Sequence, residues 1–363
     1  MYEIGYFCCM PRRLFTPPPG FGAWVVTSKY EIENDNSYIA VDDIGNGKAW
    51  VENHRLDSQC CRIGFYDRDI CGRTHCRTFM LGAISGDVAG SVYEHHNIKY
   101  LPDKDKLIQH HAHFTDDSVL TLAVGVGIMN GMKKIGKYEN FTQDDEKIFI
   151  EQISESLSLY GHRYAHAGYG RTFKQWLNTG IPVQGSWSNG SAMRVSHAGF
   201  MAHSLADAEF LASVSAKITH NHPEGIKGAV AVAGSIQILV NSLDNLSVDE
   251  AKQEVRRYLA DKYELNFTLD EIRENYSFDV SCAGSVPQAI EAFLEGDSFE
   301  EVLALAISIG GDSDTIAAIA GSLAEVVYPI PEGIRNRVLR RLDYQFKSEL
   351  AGAIDFMIDH RNK

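Results

Sequence analysis

The sequence predicts an all-α body of many helices, preceded by an irregular N-terminal extension with a little β-structure. Three observations lead there. From Arg77 onward, segment after segment is long enough for a helix and rich in apolar or small residues. Strand-like runs are scarce in this part and do not alternate with helices, which argues against a doubly wound sheet. Before Arg77 the chain is dense in aromatic and turn-forming residues and shows no helical period.

Residues 1–76 read as an appendage, and residues 77–363 as the body. In the appendage Tyr2, Tyr6, Phe7, Phe15, Phe21, Trp24, Tyr30, Tyr38 and Trp50 are spread around Pro17-Pro18-Pro19-Gly20, which breaks any regular element. The runs AWVVTSKY, SYIAVDD and KAWVE have the make-up of two or three strands. Cys8, Cys9, Cys60, Cys61, Cys71 and Cys76 all lie here, and only Cys282 lies beyond. A zinc site from Cys60, Cys61, Cys71, His75 and Cys76 is the weaker reading, because no pair has C-x₂-C spacing.

The body opens with TFMLGAISGDVAGSVYE, where Gly82, Gly86 and Gly90 recur every fourth residue and let a neighbouring helix approach closely. Further helices are expected at SVLTLAVGVGIM, EKIFIEQISESLSLYGHRYA, DAEFLASVSAKITH, GAVAVAGSIQILV, VDEAKQEVRRYLADKY, VPQAIEAFLEG, FEEVLALAISIG, TIAAIAGSLAEVVY and YQFKSELAGAIDFMIDH. Between them lie polar, glycine-bearing loops, where functional groups are commonly mounted. These are GRTFKQW, SWSNGSAMRVSHAGF and ITHNHPEGIKGA, the last with Pro223 placed to open a helix.

A hydrophobic share of 44%, a charged share of 23% and a net charge of −14 describe a soluble globular protein. They argue against general nucleic-acid binding, which needs a basic face. No uninterrupted apolar stretch of transmembrane length and no secretory signal is read, so no membrane partner and a cytoplasmic location are expected.

Two acidic clusters carry the chemistry: Thr115-Asp116-Asp117 in HFTDDS, and Asp312-Ser313-Asp314-Thr315 in GGDSDT. Each stands where a loop hands over to a small-residue helix. Either alone reads as a helix cap, since Thr and Asp are preferred there. Together they supply more acid than capping needs. If the clusters meet, two unit charges ~4 Å apart at an effective dielectric of ~20 repel by roughly 4 kcal/mol. A divalent cation, and better two, removes that cost. Hard oxygen donors favour Mg²⁺, Mn²⁺ or Ca²⁺ over zinc.

Six strings in order, GAISGDVAGSVYE, FTDDS, GRTF, NGSAMRV, THNHPEGIKGA and GGDSDTIAAIAG, resemble the ADP-ribosylglycohydrolase family over most of residues 78–330. The resemblance implies an all-α fold and two divalent cations, Mg²⁺ or Mn²⁺, held by Thr115, Asp116, Asp117, Asp312, Asp314 and Thr315. It implies that the cations bind the ribose hydroxyls of an ADP-ribose adduct and place a water near its anomeric carbon. The substrate is then an ADP-ribosylated protein, most often modified on arginine. Asp314 is the carboxylate that also assists proton transfer, and Glu94 matches a glutamate that gates the site or acts as base. The alternative for Glu94 is a solvated helix end. Asp87 reads as a packing or capping residue. Asn189, Gly190 and Ser191 fit a loop whose amides cradle the pyrophosphate, and His220 matches a histidine that contacts substrate. Arg194 stays unassigned between a buried ion pair and a phosphate contact, and His222 reads as structural. Ser118 stands where the family often has threonine, and His197 where many members have proline.

The extension is the larger departure. It resembles immunity-type members that guard against ADP-ribosylating toxins, which implies an arm, residues 1–76, that grips a cognate ADP-ribosyltransferase. The alternatives are a non-enzymatic binding protein on the same fold, or a hydrolase of serine-linked or small-molecule ADP-ribose.

Overall fold

The computed structural model describes residues 79–361 apart from 182–184 and 244, together with the backbone of five strands nearer the N-terminus. The chain divides into two compact units, residues 1–78 with 343–355, and residues 79–342 with 356–363.

The first unit holds β1 (Arg12–Phe15), β2 (Trp24–Ser28), β3 (Tyr38–Asp43), β4 (Lys48–His54) and β5 (Cys60–Asp67). Each pairs antiparallel with the next, giving a meander in sequence order. The β3–β4 register runs from Tyr38↔His54 to Asp43↔Ala49, and the β4–β5 ladder shifts between Val51 and Glu52. Three of the strands come from the three runs expected to form them; β1 and β5 were not foreseen. β1 is too short to show a period, and Cys60-Cys61 with Gly64 interrupt the alternation by which β5 would be recognised. The side chains of the extension, including the cysteines and His75 weighed for zinc, lie outside the described residues.

The second unit is built of helices. They are α1 (Leu81–Gly90), α2 (Asp116–Ile135), α3 (Gln143–Arg163), α4 (Arg171–Thr179), α5 (Ser196–Met201), α6 (Leu205–Lys217) and α7 (Pro223–Ser242). Then follow α8 (Val248–Leu259), α9 (Leu269–Arg273), α10 (Cys282–Glu295), α11 (Phe299–Ser308), α12 (Ser313–Val327), α13 (Glu332–Leu339) and α14 (Tyr344–Arg361), the last of which runs through both units. Local signals set their ends. Ser247 and Thr268 begin α8 and α9 with capping boxes closed by Glu250 and Glu271. Gly136 and Gly180 end α2 and α4 in the left-handed region.

The core is organised around α12, every residue of which is buried and which touches α1, α7, α10 and α11. Ile316, Ile319 and Leu323 are fully enclosed, each worth about 1.5–3 kcal/mol of apolar burial. Helix α1 lies against α12 along its glycines. A Cβ on Gly82, Gly86 or Gly90 would sit under 3.0 Å from the backbone of Gly321, Ala317 or Ser313 and Asp314 respectively. The four-residue glycine period is therefore a packing device, and it brings the C-terminal half of α1 onto the N-terminal turn of α12.

Helix α7 is long and apolar enough to cross a membrane, which the sequence reading did not anticipate. Within this body 67% of its apolar window is buried, so its hydrophobicity is spent on the core.

Candidate active site

The N-terminal ends of α2 and α12 converge, and the residues near 116 and near 314 meet in space. Carboxylate oxygens of Asp87, Asp117 and Asp314 lie within 4.8 Å of one another, and so do those of Glu94, Asp312 and Asp314. Asp314 belongs to both triads.

Local structure explains how each acid is held. Gly310 and Gly311, at φ 72° and 73°, take the left-handed turn that precedes α12. The Gly311 N–H donates to Asn97 Oδ1 at 3.1 Å, and a Cβ on Gly311 would sit 2.5 Å from the Tyr276 ring. Asp312 stands at the N-cap position of α12 without a side-chain capping bond, and its Oδ2 accepts from the Asn189 side-chain amide at 2.7 Å. Asp87, on the buried face of α1, ties down the start of α2. It accepts from the Thr115 N–H at 2.9 Å, the Thr115 hydroxyl at 2.8 Å, the Ser118 N–H at 3.1 Å and the Ser118 hydroxyl. This bears out its capping role, and it also makes Asp87 a third acid at the cluster. Thr115 caps α2 by accepting from the Asp117 N–H at 3.3 Å. Asp117 Oδ2 accepts weakly from the Thr315 hydroxyl at 3.3 Å and lies 3.4 Å from that of Thr115, whose proton goes to Asp87, while its buried Oδ1 has no partner. A buried carboxylate oxygen with no protein donor fits a cation ligand.

The electrostatics say the same. Burial first, then the neighbouring carboxylates, hold Asp117 and Asp314 well above the usual carboxylate range. Asp312 and Asp87 are also raised by burial, although hydrogen bonds oppose it. Asp116, half-buried at the rim, is pushed up to about 7 by desolvation and by the charges of Asp87, Asp312 and Glu94. Among the described residues no lysine or arginine balances them. An all-oxygen donor set of this kind, too crowded to ionise unaided, fits a hard divalent cation. The two helix N-termini add only partial positive charge.

Glu94 stands half-buried in the turn after α1, with His95 Nε2 3.7 Å from its carboxylate. It closes the second triad, so its place is at the acids and not at a solvated helix end.

In the Asn189–Ser191 turn, expected to cradle substrate with its backbone amides, that of Asn189 is taken. The Asn189 N–H already donates to Val280 O at 2.8 Å, and its amide is committed to Asp312 and to Ser285 Oγ. Ser191 is fully buried and donates to Gly225 O at 2.7 Å. These two residues shape the site from behind. Gly190, half-buried, remains at the surface of the turn with the His220 ring beneath it, 3.1 Å from where a Cβ would be. His220 itself is 4% exposed, and its side chain is bonded to Thr219 and Ser188. His222 is the N-cap of α7, accepting from the Glu224 N–H. Arg194 is fully buried, and no ion pair involves it among the described residues.

Two residues at the site were not singled out from the sequence. Gly168, at φ 108°, lies so close that a Cβ would be 3.2 Å from Asp116 Oδ1. Tyr169 is buried with an unpartnered hydroxyl, and its phenol is raised by burial and by the charge of Asp116. Glycines flank this tyrosine just before GRTFKQW, and that spacing was the only hint.

A family model for the ADP-ribosylglycohydrolases matches residues 72–360. An uncharacterized protein of Archaeoglobus fulgidus is 37% identical over 228 residues, 59% of this chain and 71% of the relative. ADP-ribosylhydrolase ARH3 of Mus musculus is 25% identical over 317 residues, 69% of this chain and 83% of the relative. ADP-ribosylarginine hydrolase Tri1 of Pseudomonas putida is 26% identical over 165 residues, 43% of each chain. A solved structure described as an ADP-ribosylglycohydrolase-related protein complex superposes with a TM-score of 0.54 at 22% identity, covering 78% of this chain and 97% of that one, which speaks for the fold. The chain belongs to the ADP-ribosylglycohydrolase family, enzymes that depend on divalent metal and remove ADP-ribose by hydrolysis.

Proposed function

We propose that this protein hydrolyses the N-glycosidic bond between ADP-ribose and arginine side chains of proteins, with two Mg²⁺ ions, or Mn²⁺, at its acid cluster. The observation that carries the reading is the membership of Asp314 in two adjacent acid triads, which gives two cation positions sharing one ligand. Asp117 and Asp314 with Asp87 behind them surround one position; Glu94, Asp312 and Asp314 surround the other. Asp116, Thr115 and Thr315, in the opening turns of α2 and α12, would complete the oxygen shell.

Bound cations would supply Lewis-acid charge beside the ribose and keep the cluster ionised. The chain's own residues do the rest. Asn189 orients Asp312 through a direct hydrogen bond, and the α1 glycines hold Asp87 and Asp314 at contact distance. Leaving of the guanidine builds oxocarbenium character at the anomeric carbon, which adjacent carboxylates stabilise. Glu94, the half-exposed member, has the solvent access to take a proton from the attacking water. Asp314, whose carboxylate lies within 4.8 Å of that of Glu94, would receive that proton from Glu94 and relay it to the leaving nitrogen. Gly190, at the surface of its turn, contributes substrate contact, and His220, buried beneath it, acts on the substrate through Ser188.

Residues 1–76 act as an arm that binds a cognate ADP-ribosyltransferase, making the protein an immunity factor. Support comes from the aromatic composition of the arm and from a family match that begins only at residue 72. A second reading has one observation behind it. The ARH3 relative is matched over far more of its length than the arginine hydrolase Tri1, which favours a linkage other than arginine.

The test is release of ADP-ribose from arginine-linked and serine-linked protein, with Mg²⁺ and with chelator, by the full chain and by a chain lacking residues 1–76. Expected is Mg²⁺-dependent release from arginine, lost with chelator and reduced about 10²- to 10⁴-fold in Asp314→Ala. The truncated chain should release ADP-ribose equally but fail to bind the transferase. Release from serine alone would replace the arginine reading, and no release with metal would favour the binding protein.

A further inference from the structure

Behind the Asn189 turn, a line of hydrogen bonds runs from a buried cation to two serine hydroxyls. Arg194 Nη2 donates to Ser215 O at 2.9 Å and to Thr219 Oγ1 at 2.8 Å, while its Nε and Nη1 have no partner. Thr219 Oγ1 is 2.7 Å from His220 Nδ1, and His220 Nε2 is 2.9 Å from Ser188 Oγ. Ser188 Oγ is in turn 3.3 Å from Ser186 Oγ. Arg194, Thr219 and His220 are buried, whereas Ser188 is half-exposed on the residue before Asn189. The line therefore starts in the core and ends, half-exposed, next to Asn189, whose side chain holds Asp312.

Counting donors and acceptors places the protons. A guanidinium only donates, so Thr219 Oγ1 accepts from it. The acceptor within reach of the hydroxyl proton of Thr219 is His220 Nδ1. The imidazole carries a single proton, because burial and then the charge of Arg194 hold its pKa well below the ordinary value. Nδ1 thus accepts, and Nε2 carries the proton and donates it to Ser188. Ser186 and Ser188 then own two hydroxyl protons, of which their mutual contact uses one, and one is left for a ligand. In the opposite tautomer Ser188 must donate to Nε2 and Ser186 to Ser188. No donor would remain, and the proton of Thr219 would be stranded in the interior.

We propose that Arg194 and Thr219 are positioning residues that hold His220 in its Nε2–H tautomer and so make the Ser186–Ser188 pair a hydrogen-bond donor to an acceptor oxygen of the ligand. The ligand half of this inference rests on the reading of the substrate as an ADP-ribose adduct, whose pyrophosphate and ribose offer such oxygens. Neither Arg194 nor Thr219 touches the ligand.

The experiment is a two-bond ¹H–¹⁵N correlation spectrum of the full chain, with His220 assigned by its loss in His220→Gln, and calorimetric binding of ADP-ribose in Mg²⁺. Expected for wild type is the Nε2–H pattern, kept in Thr219→Ser and replaced by a tautomer mixture in Thr219→Val. Thr219→Val should bind ADP-ribose about 10- to 100-fold more weakly, the loss of one hydrogen bond to a charged group, with Thr219→Ser like wild type. An Nδ1–H pattern in wild type overturns the proposal without needing any variant to fold, and so does unchanged binding by Thr219→Val. A wild type with the Nε2–H pattern that does not bind ADP-ribose overturns the substrate reading and the ligand half with it, and leaves the positioning half supported.

Discussion

Asp117→Asn is expected to abolish hydrolysis and, at the same time, to make the metal-free protein more stable. Asp117 is buried with one oxygen unpartnered and other carboxylates within 4.8 Å, so its charge opposes folding until a cation arrives. The sign follows from linkage. Its folded pKa lies well above the ordinary 3.8, so between the two values the folded state binds more protons than the unfolded one. Stability of the metal-free protein therefore falls as pH rises from about 4 through the folded value. Asparagine removes that titration. We expect its metal-free Tm at pH 7.5 to exceed wild type by at least about 2 °C, the shift that 1 kcal/mol brings in a domain of this size. Wild type should regain the difference on adding Mg²⁺, by about 2.7 kcal/mol at a hundredfold excess over Kd, and the gain should shrink at pH 5 as protons compete. Hydrolysis in the variant should fall about 10²-fold or more, as for loss of one preorganised electrostatic partner. A variant less stable than wild type without metal, yet fully active, would contradict this account of the cluster.

Gly86→Ala is expected to destabilise the body, although helix propensity alone favours alanine by about 1 kcal/mol. The added methyl would meet the backbone carbonyl of Ala317 well under 3.0 Å away, and a carbonyl inside a fully buried helix has nowhere to turn. Overpacking costs about 1–3 kcal/mol even where side chains can adjust, so the packing effect wins. A drop in Tm of about 4 °C or more follows. Because the same contact holds Asp87 against Asp314, the response to Mg²⁺ should weaken as well. Gly333→Ala is the control: it lies in α13 with nothing within 4 Å of its Cβ, and should be neutral or stabilising. Equal stability of Gly86→Ala and wild type would show that α1 and α12 do not approach this closely.

The helical body was legible because its information is local. Period, caps and the Gly82-Gly86-Gly90 spacing are properties of single segments, and the structure uses them as the sequence suggested, although GRTFKQW, read as a loop, forms α4. The two acid clusters were legible because doubling of acids exceeds what a cap requires. What escaped was long-range. Asp87 read as a packing or capping residue, but nothing in GAISGDVAG says that the helix it ties down starts 28 residues further on, beside the other acids. The backbone amide of Asn189 was expected to face substrate, and only the tertiary fold shows it donating to Val280 O, far along the chain. Tyr169 and Gly168 carry no pattern of their own; they matter because a loop carries them to Asp116. In the extension, β1 and β5 were missed for the opposite reason, since their local alternation is too weak to read.

The central claim is that the acids of α2 and α12 share divalent cations, and anomalous scattering from Mn²⁺-soaked crystals of the full chain tests it most directly. The account predicts two peaks, one among Asp117, Asp314 and Asp87 and one among Glu94, Asp312 and Asp314, with Asp314 common to both. Diffraction that shows no manganese at these carboxylates, in crystals of protein that releases ADP-ribose, would contradict it.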